Sequence, residues 1–173
     1  SVGMLYYCYN YFLRVSPSVM QAQLMLTLQI NASQFGSLAA CYYYAYAPMQ
    51  VPAGILHDRF GPRLVLCYSC LVAVLGVMLF VHAHSFMGAA SGRLLIGLGA
   101  SCAYTGALKL IATCLPSRYF ATAVGMTAAS GMLAAMLTQN YLPHEIARYG
   151  YTQPLHTAIM LGLCLSCLLI MLP

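Results

Sequence analysis

Charge is missing from four long stretches of this sequence. Residues 15–57, 64–92, 119–144 and 149–173 contain no Asp, Glu, Lys or Arg. A soluble domain draws roughly a quarter of its residues from those four types, and it needs them to hold a water-facing surface. Here they make up 5% of 173 residues, while 62% are hydrophobic. Seven basic and two acidic side chains cannot clothe a soluble domain. This excludes a disordered chain, a nucleic-acid-binding domain and most soluble enzymes. An apolar helix needs about 20 residues to cross the hydrocarbon core of a bilayer, and each stretch holds at least one crossing. The expected fold is all-α, a polytopic membrane protein. Strands are disfavoured by segment length and by the lack of the alternation that a membrane barrel requires.

Turn residues and charge divide the chain into six expected spans, about residues 4–28, 34–56, 64–81, 86–115, 119–142 and 152–172. The intervening stretches 29–33, 57–63, 82–85, 116–118 and 143–151 hold polar, charged, Gly and Pro residues that stop helices. An even number of spans puts both termini on one side. Arg59, Arg63 and Arg118 fall in connections of that side, against Arg148 (offset by Glu145) on the other. The bias of basic loops toward the cytoplasm therefore predicts cytoplasmic termini. Small residues at four-residue spacing (Ala121/Gly125/Ala129, Gly131/Ala135 and Gly99/Ala103/Ala107) predict faces where helix backbones approach closely. The C-x-x-C pairs Cys67/Cys70 and Cys164/Cys167 lie among Leu, Val and Ile and read as packing residues. Asn31-Ala32-Ser33 matches a glycosylation acceptor on the outer face. The first residue is Ser1, as expected of a chain whose natural start lies upstream.

Ionisable groups inside a span are expensive and point to function. Arg14 lies near the middle of the first span, and Tyr7, Asn10, Arg14, Ser18 and Gln21 follow at three- or four-residue steps, making one polar stripe. The functional reading has Arg14 binding a carboxylate or other anionic group, with Tyr7 and Asn10 orienting it; the alternative is a structural Arg satisfied by backbone carbonyls. Tyr43 and Gln50 share a face of the second span, as do Tyr42 and Tyr46. Tyr43 and Gln50 join the substrate-binding candidates. Arg93 and Lys109 belong to the fourth span, about 160° apart around the helix, so they cannot serve one pocket from one face. Lys109 is either a substrate ligand or a residue snorkelling to the interface. No span contains an acid. A coupling proton would need the substrate, Asp58, another part of the protein, or a histidine, of which His156 is best placed. Gln139 and Asn140 are candidates for an outer gate. His82 and His84 lack further ligands for a metal. Without H-E-x-x-H or G-x-S-x-G, neither enzyme chemistry nor a cofactor is expected.

The run Gly54-Ile55-Leu56-His57-Asp58-Arg59-Phe60-Gly61-Pro62-Arg63 has the form G-x-x-x-D-R-x-G-x-R between the second and third spans. It resembles the signature loop of the major facilitator superfamily. Arg93-Leu94-Leu95-Ile96-Gly97-Leu98-Gly99 is similar to the family's R-x-x-x-G-x-G element, and Gly150-Tyr151 to its aromatic entry into the sixth helix. The resemblance implies the first six of the usual twelve helices, one bundle over residues 1–173 built from two inverted three-helix repeats. It also implies that Gly54, Asp58, Arg59, Gly61 and Arg63 form a conformational-switch loop that latches the two halves. Gly54 would permit close helix contact there and Gly61 a tight turn. Arg93 would serve ion coupling or a helix network; His156, read from its residue type alone, is either a coupling candidate or an interfacial residue. The fifth span lacks a Gly-Pro pair, which departs from the exchanger motif and favours a symporter or uniporter. Residues 6–18 resemble bacterial members that carry organic anions or amino-acid-type nutrients. The expected function is half of a secondary transporter in a bacterial inner membrane. It would move a small anionic or zwitterionic metabolite (an amino acid or carboxylate) by alternating access, coupled to protons or another ion. Its partners would be a C-terminal six-helix half or a second copy, with membrane lipid around them. The alternative is a truncated or structural membrane protein that does not transport alone.

Overall fold

The computed structural model describes residues 2–171. The seven elements found there are all helices: α1 (Val2–Val19), α2 (Gln21–Leu28), α3 (Ala32–Phe60), α4 (Pro62–Val81), α5 (Phe86–Cys114), α6 (Ser117–Tyr149) and α7 (Thr152–Met171). Four of them, α4 to α7, are long and apolar enough to cross a membrane. The all-α expectation holds, and three boundaries differ from it.

The first expected span is two helices. Pro17 lies inside α1, and the chain breaks at Met20 before α2 begins. A proline acts on the turn before it; the interruption is the single residue Met20 (φ −91°, ψ 6°), whose N–H still donates to the Ser16 carbonyl at 3.1 Å and whose carbonyl accepts from the Leu24 amide at 2.9 Å. The second difference is at residues 57–63, expected as a loop. α3 runs on to Phe60, with His57 and Arg59 in its last turn, and α4 starts at Pro62. Gly61 alone joins them, at φ 80°, a backbone region open mainly to glycine. Pro62 then opens α4 where its missing N–H costs nothing. The third is at 143–151: α6 passes through Pro143 to Tyr149, so Glu145 and Arg148 stand on a helix rather than in a connection.

The α3 start gives Asn31 a structural role. Its side chain accepts from the Gln34 amide at 2.8 Å while Gln34 returns a bond to the Asn31 amide at 3.0 Å. This reciprocal cap anchors the helix. Ser85 caps α5 by a single bond, its hydroxyl accepting from the Gly88 amide at 3.2 Å.

α5 sits at the centre, packed mainly on α4 and α3 and also on α1, while α6 lies against α1 and α7 against α4. The glycines of the R-x-x-x-G-x-G element explain this closeness. A Cβ on Gly97 would collide with the Tyr42 carbonyl of α3, and one on Gly99 with the Ser69 carbonyl of α4. Two neighbouring backbones thus rest directly on α5. Ala103 and Ala107 continue that buried face. The other expected faces are not packed by the described residues: none approaches within 4 Å of a Cβ on Gly54 or Gly125, and Ala121 and Ala129 are exposed. Of the two faces on α6, the one at Gly131 is packed, against the rings of Tyr7 and Tyr11.

Candidate functional site

Pro17 shapes the site as well as the helix. Its missing N–H leaves the Leu13 carbonyl without the usual partner four residues on. Two other donors take that oxygen. Arg93 Nη1 reaches it from α5 at 3.2 Å, and Ser16 Oγ donates to it at 3.3 Å. Arg93 is 2% exposed. Its guanidinium lies over the Tyr42 ring, 5.1 Å from the centroid, a favourable place for a cation. Its Nε has no hydrogen-bond partner.

Arg14 is one residue beyond Leu13 and points to the open side of α1. Its Nε donates to the Tyr43 hydroxyl at 3.0 Å. The guanidinium lies 5.2 Å from the Tyr43 ring centroid and 5.7 Å from that of Tyr11. Of the stripe read along α1, Arg14 meets the aromatic face of α3, while Arg14, Ser18 and Gln21 are exposed.

Arg14 borders two cavities. The wider, about 240 Å³, brings Arg14 and Ser18 together with Tyr43 of α3, Arg93 of α5 and Gln139 of α6. The narrower, about 30 Å³, is lined by Tyr7, Asn10, Tyr11, Arg14, Tyr42 and Tyr46. Asn10 donates to the Tyr6 carbonyl at 2.8 Å, and its buried Oδ1 has no partner. Tyr7 donates to the Tyr11 hydroxyl at 3.3 Å and packs on Tyr104 of α5, with centroids 5.2 Å apart. Gln50 lies farther along α3, one turn beyond Tyr46, and lines neither cavity. No acid lines either cavity.

Other candidates lie elsewhere. Lys109 does not line the Arg14 cavities. It forms an ion pair with Asp58 and donates to the Gly54 carbonyl at 3.3 Å, tying the end of α3 to α5. His57 strengthens that junction, with Nε2 3.0 Å from the Cys102 carbonyl. Arg59 stacks on Phe60 at 5.5 Å, and Arg63 borders a separate apolar groove beside α5 and α6. His156 is exposed and faces His82 edge-on, with centroids 6.2 Å apart. It is not among the residues around Arg14 or Arg93.

Sequence reasoning missed Tyr11 and Tyr104. It also assigned Gln139 to an outer gate rather than to the cavity with both arginines. Tyr11 was recoverable from its position four residues after Tyr7, which puts both on one helix face. For Tyr104 and Gln139 the deciding contacts come from other helices, and no local spacing announces them.

Helices long and apolar enough to cross a membrane, with two arginines and several phenols around a shared cleft, fit the build of a membrane transport protein. Comparison with known proteins agrees. The family model of the Major Facilitator Superfamily matches residues 3–173, and the chain belongs to that family of integral membrane transporters. A probable sulfoacetate transporter of Cupriavidus necator is 26% identical over 150 residues, covering 84% of this chain and 35% of the relative. A probable galactarate/D-glucarate transporter of Escherichia coli is 24% identical over 147 residues, 80% of this chain and 33% of the relative. A nitrate/nitrite transporter of Picosynechococcus is 27% identical over 97 residues, 56% of this chain and 18% of the relative. The chain spans about a third of the length of the first of these relatives.

Proposed function

We propose that this chain is the N-terminal six-span bundle of a secondary transporter for small organic anions, with α1 and α2 together making one interrupted span. The observation that carries the proposal is the convergence of Arg14 and Arg93 on one cavity with Tyr43 and Gln139 and no acid in its lining. A guanidinium offers a planar fork of donors suited to carboxylate or sulfonate. The unpartnered Nε of Arg93 is a buried donor that an anion would satisfy. Arg14 is the primary ligand in this reading. Tyr43 holds it, Tyr7, Asn10 and Gln50 line the path, and Arg93 adds the second positive charge. The relatives named for sulfoacetate, galactarate or glucarate, and nitrate support an anionic cargo.

Alternating access then proceeds against a C-terminal six-helix half or a second copy, with the α3–α4 junction (Gly54, Asp58, Arg59, Gly61, Arg63) as the switch. Lys109 belongs to that switch through Asp58 rather than to the cargo site. Coupling to a proton or other ion is part of the proposal, with Arg93 in the charge network and His156 as its histidine. The bacterial inner membrane and cytoplasmic termini complete it.

The test is uptake of sulfoacetate, glucarate and galactonate into proteoliposomes by the natural full-length protein. Arg14→Ala is expected to cut uptake about tenfold or more, since one hydrogen-bonded charge contributes about 1.5–3 kcal/mol. Undiminished uptake by this variant would overturn the assignment.

A further inference from the structure

α3 and α4 are joined by a single residue, yet each packs far more extensively on α5 than on the other. Between them lies a groove of about 470 Å³, separate from the arginine cavities. Leu56 and Phe60 of α3 form one wall, Leu64 and Val72 of α4 the other, and Leu98 and Gly99 of α5 contribute to the floor. The hydroxyl of Ser69, which also lines it, is already bonded to the Leu66 carbonyl at 2.9 Å. Tyr68 and Cys102 also line it, so one phenol and one thiol are set among otherwise apolar walls.

Its end at the α3–α4 junction is basic. Phe60 stands there, and the Arg59 guanidinium lies 5.5 Å from its ring centroid. The nearby acid, Asp58, is paired with Lys109, so it does not cancel Arg59. An apolar slot with a cation at one end has the chemistry of a lipid tail and its anionic headgroup. An extended peptide would bring a row of backbone N–H and C=O groups against a lining whose polar groups are few, the Tyr68 hydroxyl among them, whereas an acyl chain brings none. We infer that this groove binds one acyl chain of an anionic glycerophospholipid, drawn from the leaflet at the α3–α4 junction, with Arg59 holding its phosphate. The inference requires membrane embedding but not the transport reading.

Native mass spectrometry of the full-length protein, supplied with dioleoyl phosphatidylglycerol or dioleoyl phosphatidylcholine, tests it. One phosphatidylglycerol per protein is expected to survive conditions that strip phosphatidylcholine. Arg59→Gln, an exposed change that removes the charge and its contact with the Phe60 ring, should lower that retention about fivefold, the worth of one basic residue at a membrane surface. Val72→Trp should abolish it by filling the groove, while Leu79→Trp, on α4 but outside the groove lining, should not. Equal retention of the two lipids, or no retained phosphatidylglycerol because a helix of the second half fills the groove, would overturn the proposal. So would wild-type retention by Arg59→Gln, which decides the matter even if Val72→Trp does not fold.

Discussion

Arg93 is a cation buried to 2% exposure, and taking such a charge out of water costs several kcal/mol even after relaxation. Its compensation is local: the Tyr42 ring and the Leu13 carbonyl that Pro17 leaves available. Pro17→Ala would supply an amide that competes with Arg93 for that carbonyl, while helix α1 gains a backbone bond. The expected result is a KM for the anion raised about fivefold, the worth of one hydrogen bond of about 1 kcal/mol, with unchanged amounts of protein in the membrane. Uptake kinetics at matched expression measure this, and an unaltered KM removes Pro17 from the site. Lys109 and Asp58 are a different case. Their side chains are 33% and 76% exposed, and ion pairs that open to solvent contribute about 0–1 kcal/mol. Lys109→Met is therefore expected to leave thermal stability in detergent almost unchanged, and a large fall in Tm would show that the pair is structural.

At the scale of elements, α5 is the helix on which α3 and α4 rest, and its glycines set how near they come. Gly97→Val would push a side chain into the Tyr42 carbonyl. Overpacking of this kind costs about 3 kcal/mol or more, which lowers Tm by roughly 6 °C or more in a chain of this size. Gly125→Val is the matched control, because nothing lies within 4 Å of the added carbon, and its Tm should stay near that of the parent. Thermal unfolding in detergent compares the two, and equal shifts would contradict the close approach. The same helix also carries Arg93, so a displaced α5 carries the buried charge away from Tyr42. Packing and site are coupled through this one element.

For the molecule as a whole, the loop charges predict which side each junction faces. In a background free of native cysteines, Arg59→Cys should react with a membrane-impermeant maleimide only in inverted vesicles, and His84→Cys only in intact cells. The reverse pattern would invert the topology. The four charge-free stretches and the arginines between them made a multi-span helical membrane protein legible from the chain alone, because lipid forbids unpaired backbone and unpaired charge wherever they occur in sequence. The G-x-x-x-D-R-x-G-x-R run likewise carried the family, and Arg14 with Tyr7 and Asn10 stood out from helical spacing on one element. Tertiary structure alone decided the rest. The pairing of Lys109 with Asp58 and the entry of Gln139 into the arginine cavity depend on which helices meet. A sequence fixes what one helix face offers. Which donor reaches the carbonyl that Pro17 leaves unpaired is set by the packing of another helix eighty residues away.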